Sequence, residues 1–214
     1  YVAEIWFPAA WGIESGPSDQ TEILNRFVAA AADVRAPIMW GPLDVFIDGH
    51  TGSIPDRGLR VPSHSHWICH PDTRFRAIPN SATNYEILQL WNVTDIIIEG
   101  NGARVVGERD QHTGVDGEWG MGVSIRGCSR VTISDLGADD CWGDGYYIGS
   151  TPEQPFVEDV KLIRPNGERN RRQGLSLISA KRFYCEDSFF KDISGTAPGW
   201  GIDIEPNSPD EFLE

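Results

Sequence analysis

The sequence predicts an all-β fold: a single-stranded parallel β-helix, or solenoid, whose short strands stack rung on rung behind an N-terminal capping α-helix. Three observations predict it. The segments Asp144-Gly145-Tyr146-Tyr147-Ile148, Gln173-Gly174-Leu175-Ser176-Leu177 and Trp200-Gly201-Ile202-Asp203-Ile204 lie over one another, with glycines at 145, 174 and 201. Spacings of 29 and 27 residues, carrying short β-like runs and irregular turns, suit a stacked solenoid. The run Leu88–Ile98 also matches Val123–Ile133 position for position. Finally, no helical period after residue 35 is long enough to supply the helices that a doubly wound α/β fold needs between its strands.

The elements follow in chain order. Residues 1–18 are aromatic, rich in Gly and Pro and without a period, and read as an extended segment. Residues 19–214 read as one β-helix domain that opens with a helix over 19–34. Asp19 and Glu22 form a D-x-x-E capping box there, and Ile23, Leu24, Phe27, Val28 and Ala31 share one helical face. A helix at this place would cover apolar surface and strand edges that an open solenoid end exposes. Strand-like runs follow at Pro37–Trp40, Leu43–Ile47, Leu59–Val61, His66–Cys69 and Arg74–Ile78, separated by Gly, Pro and Asp.

From Tyr85 the register becomes legible. Period-2 alternation places Leu88, Val123, Tyr146, Leu175 and Ile202 in one inward column and Leu90, Ile125, Ile148, Leu177 and Ile204 in the next. A second run gives inward columns Ile96, Val131, Val160, Phe183 and Ile98, Ile133, Leu162, Cys185. Each rung then carries about three short strands. The outward columns read Gln89, Ser124, Tyr147, Ser176, Asp203 and, three residues earlier, Glu86, Met121, Asp144, Gln173, Trp200.

Composition narrows the classes. A chain of 214 residues with 40% hydrophobic residues builds one domain with a sizeable core. No apolar run of about 18 residues is present, so no membrane partner is expected. A net charge of −14 argues against a nucleic-acid backbone as partner, while a local basic cluster would still accept anionic sugars. Cys69, Cys128, Cys141 and Cys185 form no CxxC pair and are expected to be free buried thiols, with no metal site. The stretch 208–214 reads like the opening of another turn, so the chain is expected to be a fragment truncated at its C-terminal end.

The helix, the strand runs behind it, and Gly143-Asp144-Gly145, Arg171-Arg172-Gln173-Gly174 and Gly201-Ile202-Asp203-Ile204-Glu205-Pro206 in register resemble right-handed parallel β-helix proteins of the pectate-lyase-like superfamily. These include polygalacturonase-type glycosidases and phage tailspike depolymerases. The resemblance covers residues 19–214 and implies a right-handed solenoid acting on a polysaccharide, outside the cell or on a virion surface. Tailspike relatives imply a homotrimer or larger virion assembly, whereas pectinase-like relatives imply a monomer. The polygalacturonase pattern is not met. Arg172-Gln173-Gly174 stands where that family has Gly-His-Gly, and Asp203-Ile204-Glu205 where it has Arg-x-Lys, so a polysaccharide other than pectin is expected.

The candidate catalytic residues are Asp144, Asp203 and Glu205. Rungs stack about 4.8 Å apart, so Asp144 and Asp203 would hold carboxylates on the order of 8–10 Å apart, near the range of an inverting glycosidase. Crowding with Asp139 and Asp140 is expected to raise one carboxyl for acid catalysis. Arg171 and Arg172 are candidate substrate ligands through ion pairing or a bidentate fork. Tyr147, Trp142, Trp200 and Trp119 are candidate platforms for sugar faces, alongside core closure at rung corners. The loop Glu108–Trp119 reads as a solvated insertion that could instead form a cleft wall or bind metal. His64 and His66 could place two imidazoles on one strand face. Three function classes stay open: a glycoside hydrolase, without cofactor; a polysaccharide lyase, with calcium possible at Asp139, Asp140 and Asp144; and a non-catalytic glycan-binding or structural protein.

Overall fold

The computed structural model describes residues 4–211, 213 and 214. Its strands form three sheets in which every pairing is parallel, and from Ile38 onward the chain visits the sheets in strict rotation. The first sheet stacks Leu59–Arg60, Asn84–Trp91, Trp119–Arg126, Tyr146–Gly149, Leu175–Leu177 and Ile202–Ile204. The second stacks Ile38–Trp40, His66–Cys69, Thr94–Glu99, Ser129–Ser134, Val157–Ile163 and Ala180–Glu186. The third stacks Gly16–Asp19, Asp44–Ile47, Arg74–Ala77, Arg104–Val106, Gly137–Asp139, Asn166–Glu168 and Phe189–Lys191. Successive passes through all three build a parallel β-solenoid. The five early strand runs expected from the sequence each coincide with an observed strand to within a residue or so at each end.

The register is the expected one. Leu88, Val123, Tyr146, Leu175 and Ile202 pair in succession, as do Ile96, Val131, Val160 and Phe183 in the second sheet. Inward residues of all three sheets meet in one core that runs the length of the stack. Burying a Leu, Val or Ile fully contributes roughly 1.5–3 kcal/mol, so each rung is held by its own small share of that core. Ile202 and Ile204 continue the inward columns but are 44% and 62% exposed, because no described rung lies over them.

Helix α1 spans Thr21–Asp33 rather than 19–34. The expected capping box does not form: Asp19 ends a strand, and its Oδ1 takes the backbone N–H and hydroxyl of Thr21 instead of an N–H one turn in. The helix buries Leu24, Phe27, Val28 and Ala31. Phe27 meets Trp40 edge-on at 5.9 Å, and Trp6 and Trp11 close around it. The stretch from Trp6 to Ile13 is therefore tied in: Trp6 bridges to Ile38, and Ile13 has no exposed surface.

The corners carry a pattern of their own. Asp95, Arg130, Asp159 and Arg182 stand at the same position of successive second-sheet rungs, all with φ between 53° and 61°. Arg130 pairs with Asp95 and Arg182 with Asp159, both at 2.6 Å. Asp135 and Arg164 repeat the arrangement at the next corner, with φ of 50° each and a 2.6 Å ion pair. Left-handed backbone at a non-glycine residue costs on the order of 1–2 kcal/mol. Here it recurs rung after rung with charges of alternating sign.

Candidate active site

The outer face of the first sheet would be open if the rungs were all alike. Two segments cover it instead. The turn Ile54–Asp56 is held by Gln89 Nε2, which donates to the Ile54 carbonyl at 2.6 Å. The loop Glu108–Trp119 is held from beneath by a buried stack. His112 lies 3.9 Å from the Trp142 ring, with Tyr85 at 6.3 Å beyond it. His112 Nδ1 also meets Glu108 Oε1 at 2.8 Å, neither side chain keeping exposed surface. Glu108 and His112 thus anchor an insertion whose Asp110, Gln111, Thr113, Val115 and Asp116 stay exposed, as expected of a solvated loop. A cleft of about 270 Å³ remains, lined by Ile54, Arg57, Asn84, Glu86, Trp119, Arg126, Tyr147, Arg172, Ile178 and Asn207.

Glu86 forms part of the wall and is only 4% exposed. Its Oε1 accepts from Arg126 Nη2 at 3.1 Å, while Oε2 has no partner among the described residues. Burial pushes this carboxyl above the usual carboxylate range, against the pull of Arg126, Ser124 and Arg57. Asp144 repeats the arrangement two rungs on. It has no exposed surface, and its Oδ2 accepts from Ser176 Oγ at 2.8 Å and from Arg172 Nη1 at 3.1 Å. Burial pushes Asp144 up to about 6, with Arg172 and Ser176 opposing and Glu118 adding to the rise. Ser124 and Ser176 sit in the same outward column. A carboxyl–serine–arginine unit is therefore built twice on one face: Glu86 with Ser124 and Arg126, Asp144 with Ser176 and Arg172.

The other expected site residues divide. Arg172 faces Asp144, with Nε 3.8 Å from Glu118 and Nη2 3.9 Å from Glu205. Tyr147 lies in the cleft beneath the Arg126 guanidinium, 3.9 Å from its ring centre. Trp119 is 48% exposed at the rim. Asp203 stands on the last described rung, where its Oδ2 accepts from Gln173 Nε2 at 2.7 Å, and Glu205 is exposed beside it. Trp200 is also exposed, outside the cleft lining.

Arg171 and Trp142 do not face the cleft as expected. Arg171 stacks on Trp142 at 3.7 Å and donates to the Gly117 carbonyl at 3.0 Å, completing the stack that pins the loop. The expected carboxylate cluster does not form either. Asp139 is gripped by Arg104 and Asp140 by Arg169, both on the third-sheet side. Asp144 is thus raised by burial rather than by crowding. The same arginines separate the three carboxylates that a calcium ion would need, and no cluster of three metal-ligating side chains occurs among the described residues. His66 and His64 face Glu99 at 2.7 Å and Asp95 at 3.4 Å instead of a shared centre.

Glu86, Arg126, Arg57 and Asn84 are the site residues that sequence reasoning missed, whereas Glu118 belongs to the loop that it offered as a cleft wall. The signal for Glu86 was present, since it heads the column that runs through Met121 to Asp144.

No protein-family model matches the chain. It is 30% identical over 210 residues to uncharacterized protein YclG of Bacillus subtilis (strain 168), an alignment covering 89% of this chain and 36% of that protein. It is 26% identical over 220 residues to SPbeta prophage-derived uncharacterized protein YorA of the same organism, covering 91% and 37%. The chain thus spans little more than a third of the length of these curated relatives. Among solved structures it superimposes on a protein of Parabacteroides merdae ATCC 43184 described as a candidate glycosyl hydrolase. The TM-score is 0.64 with 99% of both chains covered, at 10% identity, so the likeness is one of fold.

Proposed function

We propose that the protein is a glycoside hydrolase acting on a polysaccharide, with Glu86 and Asp144 as its two working carboxyls. The observation that carries this reading is the doubled carboxyl–serine–arginine unit beside one cleft. Two rung spacings separate the pair by about 10 Å, close to the separation that leaves room for a water between acid and base. Glu86 lines the cleft and burial shifts its carboxyl toward the protonated form, which with Oε2 unpaired suits it to protonate the glycosidic oxygen. Asp144, at about 6, is ionised at neutral pH and accepts the proton of the water that attacks the anomeric carbon. Arg172 covers Asp144 in this structure. Glu118 and Glu205, just under 4 Å from its other nitrogens, are ready partners when substrate draws the guanidinium aside. Trp119, half exposed at the rim, supplies a face for a sugar ring.

The fold likeness to a protein described as a candidate glycosyl hydrolase supports the reaction class. We read the solenoid as right-handed, of the pectate-lyase-like type, and α1 as its cap; the buried face of α1 supports the cap.

The test is incubation with a panel of bacterial and plant polysaccharides, following reducing ends and the ultraviolet absorbance of unsaturated sugars together. Reducing ends without absorbance are expected, reduced at least 100-fold in Glu86→Gln and in Asp144→Asn. Absorbance rising in step would overturn the hydrolase in favour of a lyase. Glycan binding without any cleavage would overturn it in favour of a non-catalytic binder.

A further inference from the structure

A second cavity, of about 350 Å³, opens on the same outer face of the first sheet. The segment 54–60 serves both: Ile54 and Arg57 line the cleft, Pro55 and Arg60 the second cavity. Val61, Pro62, Val93 and the half-buried Trp91 make most of its wall apolar. Gln89 stands in that wall at 1% exposure. Its Nε2 is committed to the Ile54 carbonyl, whereas Oε1 is buried with no partner among the described residues. An amide oxygen removed from water and left unpaired is costly, and a ligand that donates a hydrogen bond to it recovers that cost. Arg60, the charged group at the rim, lies 3.5 Å from Asp56, so the cavity does not call for an anion. Asn25 uses both ends of its amide on the segment, donating to the Gly58 carbonyl at 2.9 Å and accepting from Arg60 N–H at 2.8 Å, which holds the wall in place.

We infer that this cavity is a remote subsite of the cleft, taking a neutral hexose unit that lays its apolar face on Trp91 and donates a hydroxyl hydrogen bond to Gln89 Oε1. An apolar wall with one unsatisfied acceptor suits a sugar ring, which presents CH groups on one side and hydroxyls at its edge. The inference rests on the reading of the neighbouring cleft as a glycan site, and it makes the hydrolase selective for chains long enough to reach both.

The test uses the protein labelled with 15N at its tryptophan indoles and titrated with the methyl glycosides of glucose, galactose, mannose, rhamnose, N-acetylglucosamine and N-acetylgalactosamine. The Trp91 indole signal is assigned by its loss in Trp91→Phe, and that of Trp119 in Trp119→Phe. At least one glycoside is expected to shift Trp91, with binding at Trp91 weakened about tenfold in one of its monodeoxy derivatives, which lacks the donating hydroxyl and leaves the protein unaltered. Trp91 signals that no glycoside moves, or that move equally with every monodeoxy derivative, overturn the subsite. The Trp119 signal reports separately on the cleft, so the subsite and the cleft fail independently.

Discussion

At Asp144 burial and ion pairing oppose one another, and burial wins. Its carboxyl rises from 3.8 to about 6 despite the Arg172 contact. A raised carboxyl favours the protonated folded state. Its contribution to stability is therefore fully present below pH about 4 and is lost as pH rises through about 6, to the extent of a few kcal/mol. Urea unfolding of the wild type and Asp144→Asn at pH 4 and pH 7 measures this: the wild type should lose stability relative to the variant at the higher pH. Catalysis runs the other way. The base must be ionised, so kcat/KM should fall as pH drops below about 6, and a profile flat from pH 5 to 7 would remove Asp144 from the base role.

The elements are held by close approach at glycine. A Cβ on Gly145 would lie 2.5 Å from Asn170 Nδ2 and 2.8 Å from the Gly174 carbonyl oxygen. One on Gly174 would run into the Gly201 carbonyl and the Phe190 ring, whereas one on Gly201 would find only Phe190 Cβ at 3.7 Å. Gly145→Ala and Gly174→Ala should each cost about 3 kcal/mol or more, by forcing backbones apart in a packed stack, while Gly201→Ala should cost under about 1 kcal/mol. Chemical denaturation of the three variants checks the contrast. The corner ladders give a second one. Arg130→Ala and Arg130→Gly lose the same pair with Asp95, but only glycine relieves the left-handed backbone. The glycine variant should be the more stable of the two by about 1 kcal/mol in the same assay.

At the scale of the whole molecule the stack is quasi-one-dimensional, each rung resting on its neighbours. Rungs covered on both sides should open last. In hydrogen exchange, the amides of Val123–Ile125 should be protected orders of magnitude better than those of Ile202–Ile204, whose side chains are exposed. Equal protection along the stack would instead mark a single cooperative unit.

What the sequence determined by itself is the periodic part: three strands to a rung, the inward columns, and the outward column that holds Ser124, Tyr147, Ser176 and Asp203. These follow from a period of two and from apolar residues that must face a core, so local pattern suffices to read them. Asp144 was legible for the same reason. The cleft was not, because it is made where the repeat is broken. The loop Glu108–Trp119 is pinned by Tyr85, His112, Trp142 and Arg171, residues up to 86 positions apart whose stacking no periodicity announces. Glu86 and Asp144 are buried there rather than outward and solvated, with Arg126 and Arg172 upon them. Burial depends on what lies above a side chain as well as on the strand that bears it, and only the tertiary structure decides that.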